Sequence, residues 1–297
     1  MKDRKNDPKS LAKLLSAMLI FGSIGLFRRL LPLPSALIAF ARGVTGALFL
    51  AAVMALRRRT GALRLNKKAA ARYVLSGALI GINWMLLFEA FEFTSVPKAT
   101  LAYYLAPTFV ILLAAVFLGE RLTLKRTVSA GASLFGMVLV SGVLEGEGLS
   151  PDDLKGIIFG CAAAVIYAAV VLINKKSPDG DPYKKTTVQL AAAAAVMLPY
   201  LVFTGGFAIG DWSISSALIL LLVGVLHTGA AYALYFGSMS GLRTDTIAIM
   251  SYLDPITALV LSAVFLGEKL TAPGIASAAL IIGSALFCEL GGRNGKD

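Results

Sequence analysis

The chain alternates between long apolar stretches and short polar links. Crossing about 30 Å of hydrocarbon takes about 20 mostly apolar residues in a helix. Ten stretches meet that length: residues 11–31, 35–56, 71–92, 96–118, 124–144, 154–174, 185–205, 214–236, 244–266 and 272–290. The links between them carry helix breakers, as in Leu31-Pro32-Leu33-Pro34 and Ser177-Pro178-Asp179-Gly180-Asp181-Pro182. The alternating ten-residue segments of a transmembrane barrel are absent, and no link is long enough for a soluble domain. The pattern predicts an all-α polytopic membrane protein with ten transmembrane helices.

Composition agrees. Of the 297 residues, 57% are hydrophobic and 15% charged, too little polar surface for a water-soluble globule and too much apolar content for a disordered chain. Two cysteines make no disulfide scaffold.

The net charge of +11 would suit a nucleic-acid binder, but its placement argues against that partner. The basic residues cluster in links, as at Arg57, Arg58, Arg59, Arg64, Lys67, Lys68 and Arg72. With the N-terminus inside, 22 of the 28 Lys and Arg fall in cytoplasmic segments. Five fall outside (Arg28, Arg29, Lys98, Lys155 and Lys269), and Arg42 lies within a span. This bias predicts an inner (plasma) membrane protein with both termini cytoplasmic and the lipid bilayer as its first partner. The first apolar run is read as an uncleaved first helix, because no small-residue cleavage site follows it.

Residues 104–123 and 252–271 match at twelve of twenty positions with no gap, including Pro107/Pro255 and Gly119-Glu120/Gly267-Glu268. The copies fall in the fourth and ninth spans. An offset of five spans makes them cross the membrane in opposite directions. This predicts two inverted five-helix repeats, residues 1–144 (helices 1–5) and 145–297 (helices 6–10), an architecture of many secondary transporters.

Ten spans, a five-plus-five repeat and a proline-containing span ending in Gly-Glu-Arg-Leu or Gly-Glu-Lys-Leu resemble the EamA-type members of the drug/metabolite transporter superfamily. The resemblance implies a bundle in which eight helices surround a central cavity and the fifth and tenth are peripheral. It also implies movement of small organic metabolites, often outward.

Candidate substrate-binding residues are those whose polarity is costly where they lie. Arg42 and Asp254 sit deep in apolar spans, where an unpaired charge costs at least about 2.5–3.5 kcal/mol. Both are expected to face protein or water, at similar depths. Arg42 then takes a substrate carboxylate and Asp254 an amino group or a proton; the alternative is a permanent ion pair between them. His227, the one histidine, suits either a coupling proton or an interhelical hydrogen bond. Asn83 and Trp84 lie at the middle of the third span, where each can meet substrate or a neighbouring helix. Tyr103, Tyr104 and Tyr252 add aromatic, hydrogen-bonding surface, as does Tyr167.

Pro107 and Pro255 each remove a backbone donor inside a span and mark a kink or hinge. Gly119, Glu120, Gly267 and Glu268 form a structural motif at helix ends. The glutamates there bond within their turns, pair with Arg121, Arg126 or Lys269, or couple an ion. Glycines at helical spacing (Gly77/Gly81, Gly156/Gly160) and the Gly43/Ala47 pair read as packing sites. Cys161 and Cys288 read as small core residues. One histidine and two isolated cysteines supply neither a metal nor a cofactor site, and no hydrolase, metalloprotease or Walker motif occurs.

These residues predict a secondary transporter, an exporter or exchanger working by alternating access and not an enzyme. Its substrate is a small organic metabolite, with an amino acid or related zwitterion favoured. A passive channel, a membrane scaffold and a membrane enzyme are the competing classes.

Overall fold

The computed structural model describes residues 7–28, 30–56, 66–94, 96–119, 123–140, 150–177, 181–207, 213–251 and 253–267, with scattered helical positions between 272 and 287. The described residues are helical nearly throughout. Six helical stretches among them are long and apolar enough to cross a membrane: Pro8–Phe27, Ser35–Leu56, Lys67–Phe93, Pro151–Lys176, Pro182–Thr204 and Ile214–Gly241. Large apolar side chains such as Leu48, Phe117, Phe203 and Phe265 point outward, as a lipid-solvated surface requires.

Local chemistry sets the helix starts. α1 (Pro8–Gly22) begins where the Asp7 carboxylate accepts from the amides of Lys9 and Ser10. α8 (Pro151–Lys176) and α9 (Pro182–Thr204) begin the same way, capped by Ser150 and Asp181. In all three a proline follows the cap, at a position where its missing N–H loses no intrahelical bond. α8 also has Asp152 and Asp153 in its first turn and Lys175 and Lys176 in its last, matching the helix dipole at both ends.

Several apolar stretches are not single helices. The first divides at Ser23 into α1 and the short α2 (Ile24–Arg28). α3 (Ser35–Leu56) and α4 (Lys67–Phe93) are continuous. Residues 96–118 form α5 (Val96–Tyr103) and α6 (Ala106–Leu118), separated by a turn at Tyr104 and Leu105. Pro107 lies in the first turn of α6, where helix geometry asks no bond of its nitrogen. α7 (Leu124–Val140) follows. Past α9, α10 (Ile214–Leu222) runs through a π-helical segment, Val223–Ala230, into α11 (Ala231–Ser238) and a 3₁₀ turn, Met239–Gly241. Residues 244–266 likewise form two helices, α12 (Thr244–Met250) and α13 (Leu253–Leu266), and Pro255 falls in the first turn of α13. α6 and α13 both end on a glycine with positive φ, Gly119 at 68° and Gly267 at 64°. Glycine takes this left-handed cap without a Cβ clash, which accounts for that half of the Gly-Glu motif. Glu120, Glu268, Tyr252 and Cys288 lie outside the described residues.

The bundle closes through backbone-to-backbone crossings. α4 packs on α8 and α9, α3 on α9 and the π-helical segment, α5 and α6 on α8, and α1 on α11 and α13. Gly77 and Gly81 let α4 meet the α9 backbone at Gln189 and Ala193, and Gly156 and Gly160 fit α8 against Thr94 and Ala102. Gly46, Gly224 and Gly229 do the same between α3 and the π-helical segment. A buried polar trio joins three helices: Gln189 Nε2 donates to Ser76 Oγ (2.9 Å) and to Asn174 Oδ1 (2.8 Å), and Asn174 Nδ2 donates to Ser76 Oγ (2.8 Å).

The end of the bundle that holds the start of α1 is tied across by polar bonds. The Asp7 amide donates to Gly241 O (3.1 Å), Lys175 Nζ donates to the carbonyls of Met239 and Leu242, and Lys176 Nζ donates to Phe117 O (2.6 Å). At the opposite end Asp153 accepts from Thr94 Oγ1 and pairs with Lys98 at 3.2 Å.

A methyl group at Gly77 would stand 2.3 Å from the Gln189 carbonyl oxygen. Gly77→Ala is expected to cost about 1–3 kcal/mol, read as a lower thermal unfolding midpoint in detergent. Gly131→Ala, at a helical site with no heavy atom within 4 Å, should leave the midpoint unchanged or higher.

Candidate functional site

The two interrupted stretches meet at one cavity. The break between α5 and α6 contributes Tyr103, Tyr104, Ala106 and Pro107. The break between α12 and α13 contributes Ser251 and Asp254. Met18 of α1 and Tyr167 of α8 also line it. The Asp254 carboxylate makes no hydrogen bond or ion pair with any described residue. It is the one carboxyl group on the wall among the described residues.

Asp254 and Ala106 occupy equivalent positions of the matched segments, and both line the cavity. The duplicated framework therefore carries a carboxylate on one side and a methyl group on the other.

Arg42 lies off the cavity wall. Its Nε donates to Thr228 Oγ1 at 2.9 Å, and its guanidinium stands 5.7 Å from the centre of the Trp84 ring. The remaining two guanidinium nitrogens have no hydrogen-bond partner among the described residues. One edge of the group is thus held, one face is stacked and the fork is left open, a geometry suited to a carboxylate. No ion pair joins Arg42 to Asp254.

Aromatic rings span the distance between the two charges. Trp84 meets Tyr232 edge-on at 6.1 Å, and Phe21 contacts both Tyr232 (5.0 Å) and Tyr235 (5.9 Å). Tyr235 stacks on Tyr167 (6.3 Å), which contacts Tyr103 (5.9 Å). The hydroxyl of Tyr235 is buried beside those of Tyr167 and Ser251.

His227 lies in the π-helical segment with its Nε2 3.0 Å from Ser23 Oγ. Ser23 gives its one hydroxyl proton to Ile20 O (2.8 Å), so the imidazole Nε2 must donate to Ser23. Nδ1 is then an acceptor, buried and unpartnered among the described residues. Phe27 packs edge-on against the ring at 4.9 Å.

The structure therefore brings Tyr103, Tyr104, Pro107 and Asp254 to one cavity, with Trp84 and Arg42 linked to it through Tyr232. Asn83 ties α4 to α8, its Nδ2 donating to Ala163 O at 2.6 Å, and its side chain also meets the Tyr103 hydroxyl of the cavity wall. Glu89, at the far end of α4, accepts from the Tyr200 hydroxyl. Sequence reasoning did not single out Ser23, Thr228, Tyr232 or Ser251. The adjacent polar pair His227-Thr228 and the serine preceding Tyr252-Leu253 were the available signals.

Apolar spans and two helix breaks closing on an inner cavity are the features of a multi-pass membrane protein. The family model described as the EamA-like transporter family matches residues 9–142 and again 154–289. An uncharacterized transporter, YxxF of Bacillus subtilis (strain 168), is 33% identical over 89% of this chain and 84% of its own. The aromatic amino acid exporter YddG of Ancylobacter novellus is 26% identical over 72% of this chain and 74% of its own. A solved crystal structure superposes on 97% of this chain and 99% of its own with a TM-score of 0.74 at 22% identity, a likeness of fold. The chain belongs to the EamA-like transporter family.

Thr228→Val leaves Arg42 Nε with no acceptor. The expected cost is about 1–3 kcal/mol, seen as a lower thermal midpoint that Thr228→Ser restores.

Proposed function

We propose that this protein is a secondary transporter that moves an amino acid or related zwitterion across the plasma membrane by alternating access, as an exporter or exchanger. The observation that carries this reading is the junction of two interrupted helices at one cavity. Asp254 is unpaired on its wall among the described residues, and the open fork of Arg42 is joined to that wall by ring contacts running through Trp84, Tyr232, Phe21, Tyr235 and Tyr167. Discontinuous helices near the midplane, facing an inner site, are how many carriers hold substrate. In this arrangement Asp254 receives the amino group and Arg42 the carboxylate. The aromatic run between them suits the aromatic side chains exported by the relative YddG.

Ten spans, arranged as inverted repeats over residues 1–144 and 145–297 with both termini cytoplasmic, form the framework of this reading. The packing supports the exchange of halves. The α4–α8 contact has its counterpart in α11–α1, the contact of α4 with α9 in that of the π-helical segment with α3, and α5 and α6 against α8 in α12 and α13 against α1. The bare Nδ1 of His227 is the candidate carrier of a coupling proton. Pro107 and Pro255, each just past a break, are the hinge positions.

Reconstituted protein in proteoliposomes should show counterflow, in which internal amino acid accelerates uptake of labelled substrate. Arg42→Ala and Asp254→Ala should reach the membrane folded and lose counterflow at least tenfold. Wild-type counterflow by Arg42→Ala removes that residue from the site, and rates insensitive to internal substrate favour a channel.

A further inference from the structure

The cavity is chemically one-sided. Its wall holds a carboxylate with no partner among the described residues, a serine and three tyrosines, whereas the arginine that would take a carboxylate stands off the wall, held by Thr228 and Trp84. An anion in a cavity of low polarity is stabilised by a cation brought into contact with it, and aromatic faces add to that attraction. The equivalent position in the other half is Ala106, so the cavity offers one ionic anchor rather than two. A ligand made of an ammonium group and an aromatic ring meets every group this wall presents. A ligand with a carboxylate and no amine finds no cation on this wall.

Resting on the carrier reading above, we infer that the protonated amine is the determinant of recognition, and that the protein takes arylalkylamines lacking a carboxylate as cargo beside amino acids. Asp254 pairs with the ammonium group, and Tyr103, Tyr104 and Tyr167 enclose it and the ring.

The test titrates the purified full-length protein in detergent with phenethylamine, N-acetylphenethylamine, 3-phenylpropionate and L-phenylalanine, following tryptophan emission and the thermal midpoint. Phenethylamine is expected to bind saturably within about tenfold of phenylalanine. The acetylated amine and the phenylpropionate are expected to bind at least tenfold more weakly than phenethylamine. Asp254→Asn should weaken phenethylamine at least tenfold, and the wild-type comparison of the amine with its acetylated form decides the matter if that variant does not fold. No binding of phenethylamine, or equal binding of the amine and either comparison compound, overturns the inference. Phenethylamine that binds but shows no counterflow where L-phenylalanine does overturns its place as cargo, whereas absence of counterflow with both overturns the carrier reading and leaves the cation site standing.

Discussion

Hydrocarbon supplies no hydrogen-bond partners, so wherever this chain leaves α-helical geometry within the bilayer its backbone must be satisfied by protein or by a wet cavity. The chain does so at Ser23, at Tyr104 and Leu105, in Val223–Ala230 and between Met250 and Leu253. Each departure finds local partners. Ser23 donates to Ile20 O, the Leu105 amide to Ala102 O, Thr228 Oγ1 to Val223 O and the Asp254 amide to Ser251 O. The departures also gather in pairs, Ser23 against His227 and Tyr104 with Ser251 around the cavity. The site is thus the place where the fold can tolerate broken helices, and the broken helices are what bring polar groups to it.

This constraint separates what the sequence revealed from what it hid. Apolar run length marked the spans now seen as α3, α4, α8 and α9, because a helix crossing lipid must be long and continuous. It could not distinguish a bent helix from two helices in line at residues 96–118, since a proline fits a kink or the first turn of a new helix equally well. The structure chooses the second at Pro107.

Choosing among polar residues within a span was harder still. A span that is apolar on all sides has no amphipathic stripe to say which face looks inward. Asn83 and Trp84 are neighbours in sequence, yet one ties α4 to the α8 backbone and the other backs Arg42. Arg42 and Asp254 were legible by the cost of burying charge. Thr228, which holds Arg42, was not, because a threonine in a helix can satisfy itself on its own backbone. The polar trio of Ser76, Asn174 and Gln189 was hidden for the same reason: only tertiary structure brings three modest side chains together.

The glycine-lined crossings carry a mechanical consequence. Where α4 lies on α9 at Gly77 and Gly81, backbone rests on backbone, and at Gly224 and Gly229 the π-helical segment seats Thr45 and Phe49 of α3. Sliding α4 along α9 would bring a Cβ to the place that only a glycine fits and would break the bond from Gln189 to Ser76. Sliding α3 along the π-helical segment would break the bond from Arg42 to Thr228. These crossings therefore act as register locks, and motion between the halves is cheapest as rotation of whole helix pairs about them.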